Sequence, residues 1–192
     1  MKRKKETTPI NICISGSPRS DTKGCSVDAL EIARELGREI AKHDITLAST
    51  TTTGFALWAA IGAKEAKGKT VAFSPAASLT EHIETYKLPI DSFDFVVYSG
   101  FGVTGASVLA LRSCDAVIFG CGGLSSIIEC TEAVRQNKII GILEGDWDTD
   151  EILEELLAKN YGTYNHVIRD ADPRRLVEQI IKRARINRED LV

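Results

Sequence analysis

The run Phe119-Gly120-Cys121-Gly122-Gly123-Leu124-Ser125-Ser126-Ile127-Ile128-Glu129 joins an apolar strand, a glycine turn and a helix start that carries a carboxylate. Such a junction suits a phosphate ester, because paired glycines let backbone amides approach a ligand and a helix N-terminus adds donors with partial positive charge. Gly122, Gly123, Leu124, Ser125 and Ser126 are therefore the expected phosphate contacts, and Glu129 is the candidate catalytic group. A plainer reading competes with this one. Ser126-Ile127-Ile128-Glu129 also fits the S-x-x-E capping box, in which the glutamate merely bonds back to the amide of the serine. The cap explains that spacing; it does not explain two glycines behind a buried strand.

Three more loops stand where strands give way to helices. Ser15-Gly16-Ser17-Pro18-Arg19-Ser20 offers hydroxyls, a permissive glycine and one guanidinium, so Ser15, Gly16, Ser17 and Arg19 join the candidate ligand contacts, although small polar residues are also ordinary turn chemistry. Ser49-Thr50-Thr51-Thr52-Thr53-Gly54 brings Thr53 and Gly54 into the same set, with helix capping as the alternative. Ser99-Gly100-Phe101-Gly102-Val103-Thr104-Gly105 carries Phe101, which suits either a stacked base or the core. Asp146 and Trp147, after the strand ending at Leu143, belong on the same edge and could close over a site.

Short apolar runs alternate with helical patterns along the chain, and that alternation predicts an α/β fold of Rossmann-like, doubly wound type. A mainly parallel seven-stranded sheet with helices on both faces is expected, with strands near 10–15, 45–48, 69–73, 94–98, 115–119, 138–143 and 166–169. Helices are expected near 25–42, 55–67, 103–113, 126–136, 149–159 and 173–187. The stretch 75–93 breaks the alternation and reads as a long crossover with a helical turn after Ser78. Right-handed crossovers then line the strand C-terminal ends along one edge, where open α/β sheets bind ligands.

With 192 residues, 43% of them apolar, the chain is sized for one domain that buries roughly 70% of its extended surface. That domain is expected over 10–192, behind a disordered basic tail at 1–9 that holds the run Lys2-Arg3-Lys4-Lys5. A net charge of −3 offers no electrostatic footprint for nucleic acid, so none is expected as a partner. No apolar stretch approaches the ~20 residues of a membrane span, and a cytoplasmic location without a membrane partner is the expectation. The five cysteines are odd in number and form no C-x-x-C pair, which argues against a disulfide framework and against zinc. Cys13 and Cys114 read as small buried hydrophobes, and Cys121 as either that or a thiol at the ligand. His43, His82 and His166 are scattered and read as structural or solvent-facing, so no metal site is expected. The absence of G-x-G-x-x-G after the first strand and of G-K-[ST] argues against a dehydrogenase and a P-loop NTPase.

These stretches resemble the Lonely Guy (LOG) family, in particular its bacterial Rossmann-fold nucleotide-binding branch, often mislabelled lysine decarboxylase. The likeness covers about residues 10–182 and rests on Gly54-Phe55, on Gly62-Ala63-Lys64-Glu65-Ala66-Lys67-Gly68, on Arg112-Ser113-Cys114-Asp115-Ala116-Val117-Ile118 and on Gly122-Gly123-Leu124-Ser125-Ser126-Ile127-Ile128-Glu129. The family pattern at the last place is P-G-G-x-G-T-x-x-E. Active members are phosphoribohydrolases that use the motif glutamate, here Glu129, and an arginine nine residues before the aspartate of the next strand. Since 115 − 9 = 106, that arginine is Ala106 here. Arg112 lies six positions further along the helix, about 600° of rotation away, and points elsewhere. Cys121 replaces the family proline, Ser125 the third glycine and Ser126 the threonine.

The resemblance implies a small phosphorylated ligand, with a bound nucleotide or phosphorylated pterin as the cofactor class and a homodimer or higher homo-oligomer as the assembly. With the arginine missing, the leading expectation is a protein that senses, carries or sequesters such a ligand at the glycine turn. The alternative is a nucleoside 5'-monophosphate phosphoribohydrolase that cleaves the N-glycosidic bond.

Overall fold

The computed structural model describes residues 9–17, 25–160 and 164–189. Seven strands are present among them: β1 (Asn11–Ser15), β2 (Thr46–Thr50), β3 (Lys69–Ser74), β4 (Phe95–Tyr98), β5 (Ala116–Phe119), β6 (Ile139–Leu143) and β7 (Val167–Asp170). The helices are α1 (Val27–Lys42), α2 (Phe55–Glu65), α3 (Leu79–Glu84), α4 (Gly102–Arg112), α5 (Leu124–Arg135), α6 (Thr149–Asn160) and α7 (Pro173–Glu189). Every strand pairing is parallel, in the order β4-β3-β2-β1-β5-β6-β7. The expected tail lies almost wholly outside the described residues, as does Arg19.

Strand alternation divides the core into two layers. Ile12, Ile14, Leu47 and Ile118 face a cluster that includes Leu36, Ile40, Ala59, Val177 and Ile180 of α1, α2 and α7. Cys13, Ala48, Val117 and Phe119 face the opposite cluster, built with Ala110, Cys130 and Leu153 of α4, α5 and α6. The sheet order reverses at β1, which pairs with β2 on one side and β5 on the other. The loop after β1 leads to a helix on the first face and the loop after β5 to a helix on the second, which opens the crevice at the switch point.

Two interhelical devices fix α1 on α2. A Cβ on Gly37 would lie 1.8 Å from the carbonyl oxygen of Ala59, and one on Gly62 would lie 1.9 Å from that of Arg34, so each helix rests on the other's backbone. At the rim, Arg34 and Arg38 both donate to Glu65, and their hydrogen bonds hold its carboxyl down at about 2.

The crossover between β3 and β4 holds the expected helical turn as α3, with Ser78 Oγ accepting the Glu81 amide at 3.2 Å. His82 anchors it from a fully buried position, with Nδ1 2.8 Å from Ser74 Oγ, Nε2 3.3 Å from the Pro89 carbonyl and its ring edge-on to Tyr98. Its role is structural, one of the two readings the sequence left open.

Candidate functional site

Glu129 does not cap its own helix. The helix α5 begins two residues before Ser126, at Leu124, with Gly123 as an N-cap that has no side-chain bond. The glycine turn thus enters the helix earlier than the capping box would require. Ser126 Oγ is buried without a protein partner, lying where a Cβ on Gly122 would approach to 2.1 Å.

Freed from the cap, Glu129 turns toward the end of the sheet. Ser15 Oγ, from the last residue of β1, donates to its Oε2, and Ser107 Oγ, from α4, donates to Oε1 at 2.6 Å. Burial pushes the Glu129 carboxyl above its ordinary value, and the hydrogen bonds from Ser107 and then Ser15 oppose that shift. A carboxyl that holds its proton more tightly when folded stabilises the protein fully below its unfolded value near 4.5 and loses that contribution as pH rises through the folded value. Glu129→Gln has no such titration. Its urea midpoint relative to the native protein is expected to be higher at pH 7 than at pH 4, and an unchanged difference would show that Glu129 titrates as in the unfolded chain.

The carboxylate lines a cavity of about 60 Å³ between α4 and α5, walled by Val103, Thr104, Val108, Ser125 and Ile128. Ser107 went unrecognised in the sequence. The available signal was Thr104 and Ser107, two hydroxyls at helical i, i+3 spacing in an otherwise apolar segment.

The other expected contacts divide sharply. Gly122 and Ser126 amides are already engaged, the first by Thr149 Oγ1 at 2.7 Å and the second by the Gly123 carbonyl at 3.0 Å. Gly123, Leu124 and Ser125 form the open first turn: a Cβ on Gly123 would meet nothing within 4 Å, and Leu124 is 75% exposed. Ser17 is a brace, its amide donating to the Cys121 carbonyl at 2.7 Å and its carbonyl accepting the Phe55 amide at 3.1 Å. Gly16 and Gly120 both make room for Phe55. A Cβ on Gly16 would lie 2.7 Å from Phe55 Cβ, and one on Gly120 would lie 2.0 Å from Phe55 Cζ. Gly54 is the N-cap that sets Phe55 in that place, and Thr53 beside it is exposed.

Phe55 is fully buried and packs edge-on against Trp147 with ring centroids 6.0 Å apart. Trp147 therefore closes over Phe55, within the core cluster of the first face. Phe101, left open between base stacking and core, is 72% exposed and so not a core residue.

One expectation about cysteines is overturned. Cys25 and Cys121 form a disulfide with Cα atoms 5.6 Å apart, leaving Cys13, Cys114 and Cys130 as buried free thiols. Odd count and missing C-x-x-C spacing hid a pair that only the fold brings together, from the entry of α1 and the end of β5.

Residues 9–177 match the model of the SLOG cluster4 family. The chain belongs to that family. No curated protein is significantly similar to it. Among solved structures, the SLOG chain is similar to the molybdenum cofactor binding protein of Rippkaea orientalis, with TM-score 0.72 and 24% identity over 92% of this chain and 98% of that one. The molybdenum cofactor carrier protein of Chlamydomonas reinhardtii gives TM-score 0.73 and 22% identity, over 91% and 98% of the two chains. At these identities the likeness shows the fold.

The same fold corrects the expectation that nucleic acid is excluded. DNA processing protein A of Helicobacter pylori, whose structure is described for its single-stranded DNA binding mode, matches this SLOG chain with TM-score 0.65 and 18% identity, over 91% and 81% of the chains. Net charge is a property of the whole surface, and a local contact on this fold does not need an overall positive sum. Among the described residues no helix is long and apolar enough to cross a membrane.

Proposed function

We propose that the protein binds a phosphorylated small molecule, a nucleotide or a phosphorylated pterin, with its phosphate at the first turn of α5 and its polar body against Glu129. The observation that carries this reading is the orientation of Glu129, which is held by Ser15 and Ser107 from two other elements and lines the cavity beside the open helix start. Gly123, Leu124 and Ser125 supply amides to an anion where the helix dipole favours it. The carboxylate supplies an acceptor for a hydroxyl or ring N–H.

A phosphorylated pterin belongs in this class because proteins of the same fold are described as molybdenum cofactor binding and carrier proteins. The residues here fit the phosphate of such a group through the open amides and its N–H edge through Glu129. The phosphoribohydrolase alternative is supported less. Ala106, where the family arginine would stand, is fully buried, and Arg112 is exposed at the far end of α4.

Calorimetry against a panel of nucleoside monophosphates and a phosphorylated pterin tests the reading. Gly123→Asp places a carboxylate among the donor amides without a steric clash, because the position is open and its φ of −161° is extended. Affinity is expected to fall about tenfold or more, equivalent to ~1.4 kcal/mol. No member of the panel binding below millimolar, or an indifferent Gly123→Asp variant, would sink the reading. Release of free base above a Glu129→Gln control would replace it with hydrolysis.

A further inference from the structure

We propose that the Cys25–Cys121 disulfide is a redox latch across the switch-point crevice, and that its state sets the mobility of the glycine turn 120–126. The two cysteines belong to the two connections that leave the sheet at that crevice, Cys25 ahead of α1 and Cys121 after β5. Cys25 directly precedes Ser26, whose hydroxyl accepts the Ala29 amide at 3.1 Å and so anchors the start of α1. Cys121 opens the turn that leads to α5. The bond joins residues 96 positions apart in sequence, so it ties two loops that leave the sheet toward different faces.

Hydrogen bonds also hold the turn, beginning with the Gly120 amide on the Ser15 carbonyl at 3.1 Å. The Ser17 amide holds the Cys121 carbonyl, and Thr149 Oγ1 holds the Gly122 amide. Gly123 has no neighbour that a side chain would touch. Removing the covalent tie therefore leaves the glycine pair without its anchor to the loop that opens α1. The remaining thiols cannot replace it: Cys13, Cys114 and Cys130 belong to the core cluster on the other face of the sheet, whereas Cys25 and Cys121 belong to the first.

Opening is a thiol–disulfide exchange. Two molecules of a low-molecular-weight thiol such as glutathione deliver two electrons and two protons, the Cys25–Cys121 S–S bond breaks into two thiols, and the two glutathione sulfurs join in one disulfide. Both cysteines are buried, so the attacking thiolate reaches the bond only through local opening. The latch thus responds to sustained reducing conditions.

The test uses the whole chain equilibrated in oxidised or reduced glutathione. Alkylation in denaturant should add three labels to the oxidised protein, since two of the five cysteines are paired, and five to the reduced protein. Hydrogen exchange read by mass spectrometry should be at least about tenfold faster over 120–126 after reduction, with β6 unchanged as an internal control. Cys25→Ala should show the fast turn under both conditions. Five labels without reductant would overturn the latch, and so would three labels with an exchange rate over 120–126 that reduction does not alter. Neither readout involves a bound ligand, so failure of the phosphate reading leaves this result standing.

Discussion

Phe55→Ala is expected to lower stability by about 4 kcal/mol and the thermal midpoint by roughly 8–16 °C, because it empties a fully buried site at the centre of the crevice. The ring touches three separately folded pieces: the glycine after β1, the glycine after β5 and Trp147 from the loop after β6. None of them can close the void alone, since each is anchored by its own strand. A double-mutant cycle makes the argument specific. In the native background Gly120→Ala drives a Cβ to 2.0 Å from Phe55 Cζ and is expected to destabilise by overpacking. In the Phe55→Ala background the same methyl enters the cavity and should recover part of the loss, since the positive-φ glycines are Gly100 and Gly102 and Gly120 is not among them. Calorimetric melts of the four proteins measure the coupling. Additive effects would show that Phe55 and Gly120 do not share the space assigned to them.

This pair also shows where the sequence was legible and where it was not. Strand and helix positions follow from local periodicity, and all seven strands lie within one or two residues of their expected places. The function of a glycine at a strand end does not follow in the same way. A tight backbone approach serves a phosphate or an aromatic ring equally well, and choosing between them requires knowing that Phe55 folds over Gly16 and Gly120. Glu129 was singled out from its spacing, yet its partners are Ser15 and Ser107 rather than the Ser126 amide, because α5 starts at Leu124 and leaves Ser126 inside the helix. The capping-box pattern is local, and a glycine turn two residues upstream overrode it. The Cys25–Cys121 pair is the clearest nonlocal case: its geometry is a product of sheet order, and no count of cysteines contains that order.

Gly37→Ala carries a second large effect, and here two principles oppose each other. Alanine is a better helix former than glycine by about 1 kcal/mol, so in a solvent-facing helix the substitution would stabilise. At this position the new Cβ would lie 1.8 Å from the Ala59 carbonyl oxygen, a backbone atom that moves only with α2 as a whole. Separating the helices exposes the Leu36, Ile40 and Ala63 contacts between them and strips Glu65 of Arg34 and Arg38. The packing loss should prevail, giving a net destabilisation of about 3 kcal/mol and a fall of roughly 6–12 °C in the thermal midpoint. Gly62→Ala, which meets the Arg34 carbonyl at 1.9 Å, should behave alike. The double variant should lose less than the sum, because helices already pushed apart by the first methyl have room for the second. An NMR titration gives an independent readout: the Glu65 carboxyl, held at about 2 by the two arginines, should rise toward its ordinary value of 4.5 in either variant. A midpoint at or above that of the native protein would mean that α1 and α2 do not rest on each other's backbone at these two glycines.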